Sequence, residues 1–338
     1  MWENRLKRIG IGFLILCLPG IVQAETKGPR ITLAVEFVAH AACAHIARAK
    51  GWYRQAGVNI SSFDNYITGM ALASALAKGG IQAAYICAIP AIIAYANGGV
   101  RLKIICGTHR YGYGLIVNPA RVKTPSDLMR PDIRFACTRE GSPADAVMHK
   151  MCAADHLDAR ALSEKALRMP PPMMLLALEQ GRIDAGFCCE QFPSMGVEAG
   201  FKELTSARAL WPGMQGSVLI VTDGLIRRHP DIVKKLVGVT VKATRFILAH
   251  PNRASRLTAQ ALTVAGKKIF PLRLDRRLGG LCISPRAVKR ALFKQMECTP
   301  EVKVRMIQEE IDTLAHLGYI RRFDAHKIVD LRWLHARK

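Results

Sequence analysis

Cysteine and histidine are the residue types in this sequence whose placement could do chemistry. Cys43, Cys87, Cys106, Cys137, Cys188 and Cys189 fall near the carboxyl ends of expected strands or on the adjoining helix. His40, His45 and His109 share that zone. Thiolate and imidazole together suit soft metals. His40-x-x-Cys43 has helical i, i+3 spacing, and Cys106-Gly-Thr-His109 has the same separation. No Cys-x-x-Cys pair occurs, and cysteine also packs as a small buried hydrophobe. A soft-metal or metal-chelate site and a thiol-rich core are therefore both open readings. A bridge between Cys188 and Cys189 would be strained. No Ser/His/Asp order, phosphate loop or paired-carboxylate motif stands out for catalysis.

Residues 69–99 are the stretch that must position such groups. Met70 to Lys78 is Ala- and Leu-rich, a strong helix-forming composition. Gly79-Gly80 ends it, because glycine accepts the left-handed geometry of a helix stop. Ile81 to Cys87 is an apolar run long enough for a buried strand. Pro90 suits the first turn of a second helix, Ala91 to Asn97, closed by Gly98-Gly99. The helix starts near Gly69-Met70 and Ala88-Ile89 then lie beyond strand ends, where open α/β sheets bind ligands. Free N–H groups and a partial positive charge there can hold an anion without a charged side chain.

Strands and helices alternate along the chain. Expected strands are Ile31–Phe37, one following Gly57-Val58, Arg101–Cys106, Leu115–Asn118, Ile133–Cys137, Ile183–Cys188, a short extended Phe201–Leu204, and Val218–Val221. Gly107 to Gly114 reads as a glycine- and tyrosine-rich connection. Expected helices include Ala39–Ala49, Ala144–Ala154 capped by Ser142, and Leu175–Gln180 closed by Gly181. After Val221 the chain turns helical, over 230–249, 252–265, 285–294 and 300–317. This order predicts a mostly parallel α/β architecture.

The 338 residues suit two domains, and half are apolar. A basic n-region (Arg5, Lys7, Arg8), an apolar Ile9–Leu18 and small residues around Val22-Gln23-Ala24 predict a signal peptide over residues 1–24, cleaved after Ala24. An uncleaved anchor is the alternative. Cleavage lowers the formal charge from +23 to +21. The basic residues are scattered in pairs such as Arg227-Arg228 and Lys267-Lys268, with no aromatic-interleaved strip, so nucleic acid is not expected as a partner. Ten cysteines in the chain, nine after cleavage, are too few for a disulfide scaffold.

The sequence resembles the periplasmic substrate-binding proteins of ABC importers, in the branch for nitrate, sulfonates, taurine and thiamine-pyrimidine precursors. The resemblance is carried by Ala47-Arg48-Ala49-Lys50-Gly51-Trp52-Tyr53, by Leu76-Ala77-Lys78-Gly79-Gly80-Ile81, and by Lys123-Thr124-Pro125-Ser126-Asp127-Leu128. Gly141-Ser142-Pro143, Gly181-Arg182-Ile183-Asp184-Ala185 and His229-Pro230-Asp231 follow in the family's order. It implies a type II binding protein, α/β with mostly parallel sheets, whose two lobes are joined by a two-strand hinge and hold the ligand in a cleft. Residues 25–110 and 216–338 would form the first lobe and 111–215 the second. Hinges would fall near His109–Gly114 and Pro212–Ser217.

The resemblance also implies a role: a periplasmic monomer with no cofactor and no catalysis, delivering a small organic molecule to a membrane permease and its ATPase. Family contacts carried onto this chain give Phe37, His40, Gly69, Met70, Cys87, Ala88, His109, Tyr111, Glu140, Gly141, Ser142, Pro172, Met173, Glu190 and Gln191. Arg139 could clamp a carboxylate or sulfonate. Phe37, Met70, Cys87, Tyr111, Tyr113, Met173, Phe192, Trp211 and Met214 would form a soft aromatic wall. Cys188-Cys189-Glu190 stands where many relatives carry a tryptophan-glutamate pair, so ligand identity does not carry over. A rival is an enzyme on the same fold, like the thiamine-pyrimidine synthases, whose cysteine cluster is longer.

Overall fold

The computed structural model describes residues 28–270 and 282–335. The expected leader, residues 1–24, lies outside them. No described helix is long and apolar enough to cross a membrane.

The first half of the chain builds β1 (Arg30–Glu36), α1 (Ala42–Ala49), α2 (Trp52–Gln55), β2 (Asn59–Tyr66), α3 (Gly69–Lys78), β3 (Ala83–Cys87), α4 (Ala88–Ala96) and β4 (Leu102–Tyr111). Alternation decides which face each strand residue takes. Leu33, Val35 and Tyr85 turn toward Ile46 and Val237, whereas Ala34, Ala84 and Ile86 turn toward Leu72 and Ile92. Both faces of β3 are thus covered, which is why all of its residues are buried.

A second sheet follows. Its elements are β5 (Tyr113–Val117), β6 (Phe135–Cys137), α5 (Pro143–Ala154), α6 (Ala159–Lys165), β7 (Leu167–Arg168), α7 (Pro171–Glu179), β8 (Ala185–Cys189), α8 (Phe192–Glu198), β9 (Lys202–Ser206) and α9 (Ala207–Leu210). The chain then returns through β10 (Gln215–Thr222), α10 (Asp223–Arg228), α11 (Pro230–Ala249) and α12 (Pro251–Ile269). From residue 282 onward lie α13 (Pro285–Arg290), β11 (Met296–Cys298), α14 (Val304–His316) and α15 (Arg332–His335).

The molecule is therefore α/β with two sheets. Six strands run in the order β11-β4-β10-β3-β1-β2 and five in the order β7-β6-β8-β5-β9. The expectation of mostly parallel sheets needs correction, because both are mixed. β1 pairs parallel with β2 and β3, but β10 lies antiparallel between β3 and β4, and β11 is antiparallel too. In the second sheet β6 is parallel to β7 and β8, while β5 is antiparallel to β8 and β9. Topology explains this: a chain that leaves one sheet for another and comes back must run both ways where it crosses.

The stretch 107–114 is a second correction. It is strand almost throughout, and only Gly112 separates β4 from β5. Gly112 has φ +93° and Tyr111 has φ +63°, so the turn between sheets is made in left-handed backbone. Helices α6 and α8 and the two-residue β7 were not read from the sequence.

Candidate functional site

Four helices begin at one place between the two sheets. Thr68 caps α3, its hydroxyl accepting from the Ala71 N–H at 3.2 Å. Cys87 is the N-cap of α4, and Ser142 caps α5 by accepting from the Asp145 N–H. Helix α7 opens on Pro170-Pro171-Pro172. Its fixed φ suits a first turn. Residues from all four starts line one cavity of ≈ 240 Å³. Each start adds a partial positive charge.

The wall is apolar and the polar groups are few. Val38, Ile67, Met70 and Pro90 line it from the first sheet's side, and Pro143, Met169 and Pro171 from the second's. Arg139 lines it, and its guanidinium makes no ion pair with a carboxylate among the described residues. Arg168 also lines it but is committed: it donates to Asp145 Oδ1 at 2.7 Å, to the Thr138 carbonyl and to Ser163.

The floor is a buried polar knot around Cys87. Its thiol donates to Glu36 Oε2 at 2.9 Å, and its backbone N–H donates to Glu36 Oε1 at 2.8 Å. The Tyr113 hydroxyl donates to the sulfur at 2.7 Å and Ser217 at 3.3 Å. His40 Nδ1 lies 3.2 Å from the same sulfur. His40 Nε2 is 2.9 Å from the Gly112 carbonyl, which can only accept, so Nε2 carries the proton and Nδ1 faces the thiol with its lone pair. Burial drives the titrations. It pushes Glu36 up to about 7 against the lowering effect of the Cys87 hydrogen bonds. It pushes His40 well down, with His109 adding to that, and pushes the Cys87 thiol well up, helped by Glu36. The ground state is thus a neutral imidazole beside a protonated thiol.

The structure separates the expected site residues into two groups. Gly69, Met70, Cys87, Arg139 and Ser142 line the cavity. His40 stands behind Cys87, and His109 lies tilted against His40 with ring centroids 4.4 Å apart. Ala88 is buried as the first residue of α4. Glu140 and Gly141 do not line the cavity: the first lies near Arg168 and the second donates its N–H to Asp145.

The others face elsewhere. Phe37 packs edge-on against Phe270. Tyr111 donates to the Pro212 carbonyl and lies under Arg208. Pro172 is buried within α7, and Met173 lines a separate surface depression with Leu176 and Arg182. Glu190 accepts from Ser194, and Gln191 accepts from the Ala39 N–H at 2.8 Å. Trp211 donates to Glu309, with Lys150 over its ring. Sequence reasoning passed over Thr68, Thr138, Arg168, Met169 and Pro170 and read Pro90 only as a helix start. Only Thr68, a capping residue just before a helix start, carried a signal that could have found it.

The metal-type spacings do not act as pairs. Cys43 Sγ meets Thr244, and Cys106 Sγ meets the Gly107 and Pro300 carbonyls. Cys188 and Cys189 are both free thiols.

Known structures share the fold. The alkanesulfonate-binding protein SsuA of Xanthomonas axonopodis pv. citri, bound to MOPS, is 15% identical, with TM-score 0.71 over 90% of this chain and 99% of its own. The periplasmic nitrate-binding protein NrtA of Synechocystis PCC 6803 is 13% identical, with TM-score 0.74 over 92% and 88%. The desulfurization enzyme DSZB is 16% identical, with TM-score 0.63 over 91% and 98%. No curated protein matches the sequence. The NMT1-like family model matches residues 24–263, and the chain belongs to that family.

Proposed function

We propose that this protein is an extracytoplasmic solute receptor that takes a small organic anion between its lobes and hands it to an ABC permease. The observation that carries this is the convergence of four helix N-termini and the unpaired Arg139 on one apolar cavity. The starts of α3, α4 and α5 each contribute about 0.3–1 kcal/mol toward an anion, whereas α7 adds little, because Pro171 and Pro172 carry no N–H and the Met173 and Met174 N–H groups already donate to the Pro170 carbonyl. The apolar wall suits a carbon skeleton behind the charged head. A 240 Å³ space exceeds the roughly 150 Å³ that holds benzene. The fold relatives named for alkanesulfonate and nitrate binding support the same reading, and the wall favours an organic anion over nitrate. Lobe closure about the Gly112 crossing is the proposed motion, with a periplasmic, monomeric protein and no turnover.

Thermal unfolding tests this, after unfolding and refolding to strip any carried-over ligand. The panel holds alkanesulfonates, taurine, aromatic carboxylates, pyrimidines and nitrate. A ligand at a hundred times its Kd adds roughly 2.7 kcal/mol, a clear rise in midpoint. An organic anion that raises the midpoint and is recovered unchanged supports the receptor. A compound that is consumed overturns it and favours the enzyme reading that the Cys87–His40 contact would serve, and a response to pyrimidines alone, without turnover, overturns the organic anion in favour of a heteroaromatic ligand.

A further inference from the structure

The knot at the cavity floor has the makings of a metal site that the organic-anion reading does not use. The geometry points to Glu36, His40 and Cys87 as three ligands of one zinc-class divalent ion, with the fourth position open to the cavity. Their donor atoms are Glu36 Oε2, His40 Nδ1 and Cys87 Sγ, and all lie within 4.8 Å of one another. The three separations are 2.9 Å from Sγ to Oε2, 3.2 Å from Sγ to Nδ1 and 4.0 Å from Nδ1 to Oε2. A triangle of that size has a centre about 2 Å from each corner, the zinc–nitrogen and zinc–oxygen bond length, but in the plane of the three atoms, so tetrahedral zinc requires His40 Nδ1 and Glu36 Oε2 to close by roughly 0.7 Å as the ion draws them in.

The outer set of contacts is also in place. A metal-bound imidazole ordinarily donates its other N–H to a carbonyl or carboxylate. His40 does this through Nε2 to the Gly112 carbonyl. The Cys87 N–H fixes the second oxygen of Glu36, and the Tyr113 and Ser217 hydroxyls point at the sulfur. With the Cys87 proton released to solvent on binding, one thiolate, one carboxylate and a neutral imidazole match the charge of a divalent ion. The donor set of sulfur, nitrogen and oxygen selects zinc or cobalt over magnesium or calcium. Glu36 and Cys87 line the cavity, so the open position faces the space where a ligand's donor atom or a water would sit.

The test is a titration of chelator-stripped, reduced protein with Co2+ and then Zn2+. One Co2+ per chain is expected, with a thiolate-to-cobalt charge-transfer band that Zn2+ abolishes. C87S should lose the band, and H40Q and E36Q should each weaken binding at least tenfold. C282S removes an exposed thiol and should leave binding unchanged. If C87S does not fold, E36Q, which keeps the side-chain shape, decides the matter. Absence of saturable binding, a band that persists in C87S, or a loss of binding in C282S would overturn the assignment. None of these outcomes depends on the organic-anion panel, so the two readings fail separately.

Discussion

Arg139 and Glu190 illustrate how differently two charged residues of one lobe behave. Arg139 lines the cavity without a carboxylate partner, so R139A removes a charge-assisted contact to a bound anion and little else. Such contacts are worth roughly 1.5–3 kcal/mol, so affinity should fall about ten- to a hundredfold in a titration while the unfolding midpoint of the free protein stays put. Glu190 is buried away from the cavity. Burial, and then the charge of Glu203, push it up to about 8, against the pull of Ser194 and Arg290. Between about pH 4.5 and 8 the folded state keeps a proton that the unfolded chain has lost. Glu190 therefore favours folding most at low pH, and stability declines as pH rises through that window. E190Q should flatten the decline by on the order of 2 kcal/mol between pH 5 and 8 in urea unfolding. The glutamates were visible in the sequence as candidate cleft groups, but their direction was not. A side chain at a strand end can turn either to the cavity or to the neighbouring helix, and Glu190 turned to Ser194.

Elements were more legible than contacts. The helix 230–249 appears with the bounds read from its composition, because Pro230 starts it and its apolar stripe is long. The αβα unit after Gly69 appears as well, although α4 begins at Ala88, ahead of Pro90. The failures have a common cause. Helix α8 contains Pro193 and Gly196, and β7 is two residues long, so neither shows a period. The Glu36–His40–Cys87 group was hidden because Cys87 is 47 residues from His40, and the local spacing pointed instead to Cys43, whose sulfur turns to Thr244. At the crossing between sheets, Gly112 has positive φ, and an added Cβ would lie 2.7 Å from His40 Nε2 and 3.0 Å from Met296. G112A should cost about 1–3 kcal/mol in denaturant unfolding, since strain and crowding act together there.

Over the whole molecule, the two sheets are tied by side chains from the C-terminal helices. Tyr319, just after α14, donates to Asp145 of α5 at 2.7 Å. Arg290 pairs with Glu203, and Ser284 donates to Glu198 at 2.6 Å. Y319F removes one tie without changing shape. It should lower stability by about 1–2 kcal/mol, and amides of α5 should exchange faster with solvent. The Gly112 carbonyl joins the two lobes in another sense. It accepts from His40 Nε2, at the start of the first lobe's helical layer, and from the Glu190 N–H just after β8, each at 2.9 Å. A rotation of one lobe on the other cannot keep both bonds unchanged. Under the proposed lobe closure, the imidazole proton of His40 would gauge the angle between the lobes. Its NMR resonance should shift when an anion fills the cavity above, even though the ring itself never touches that anion.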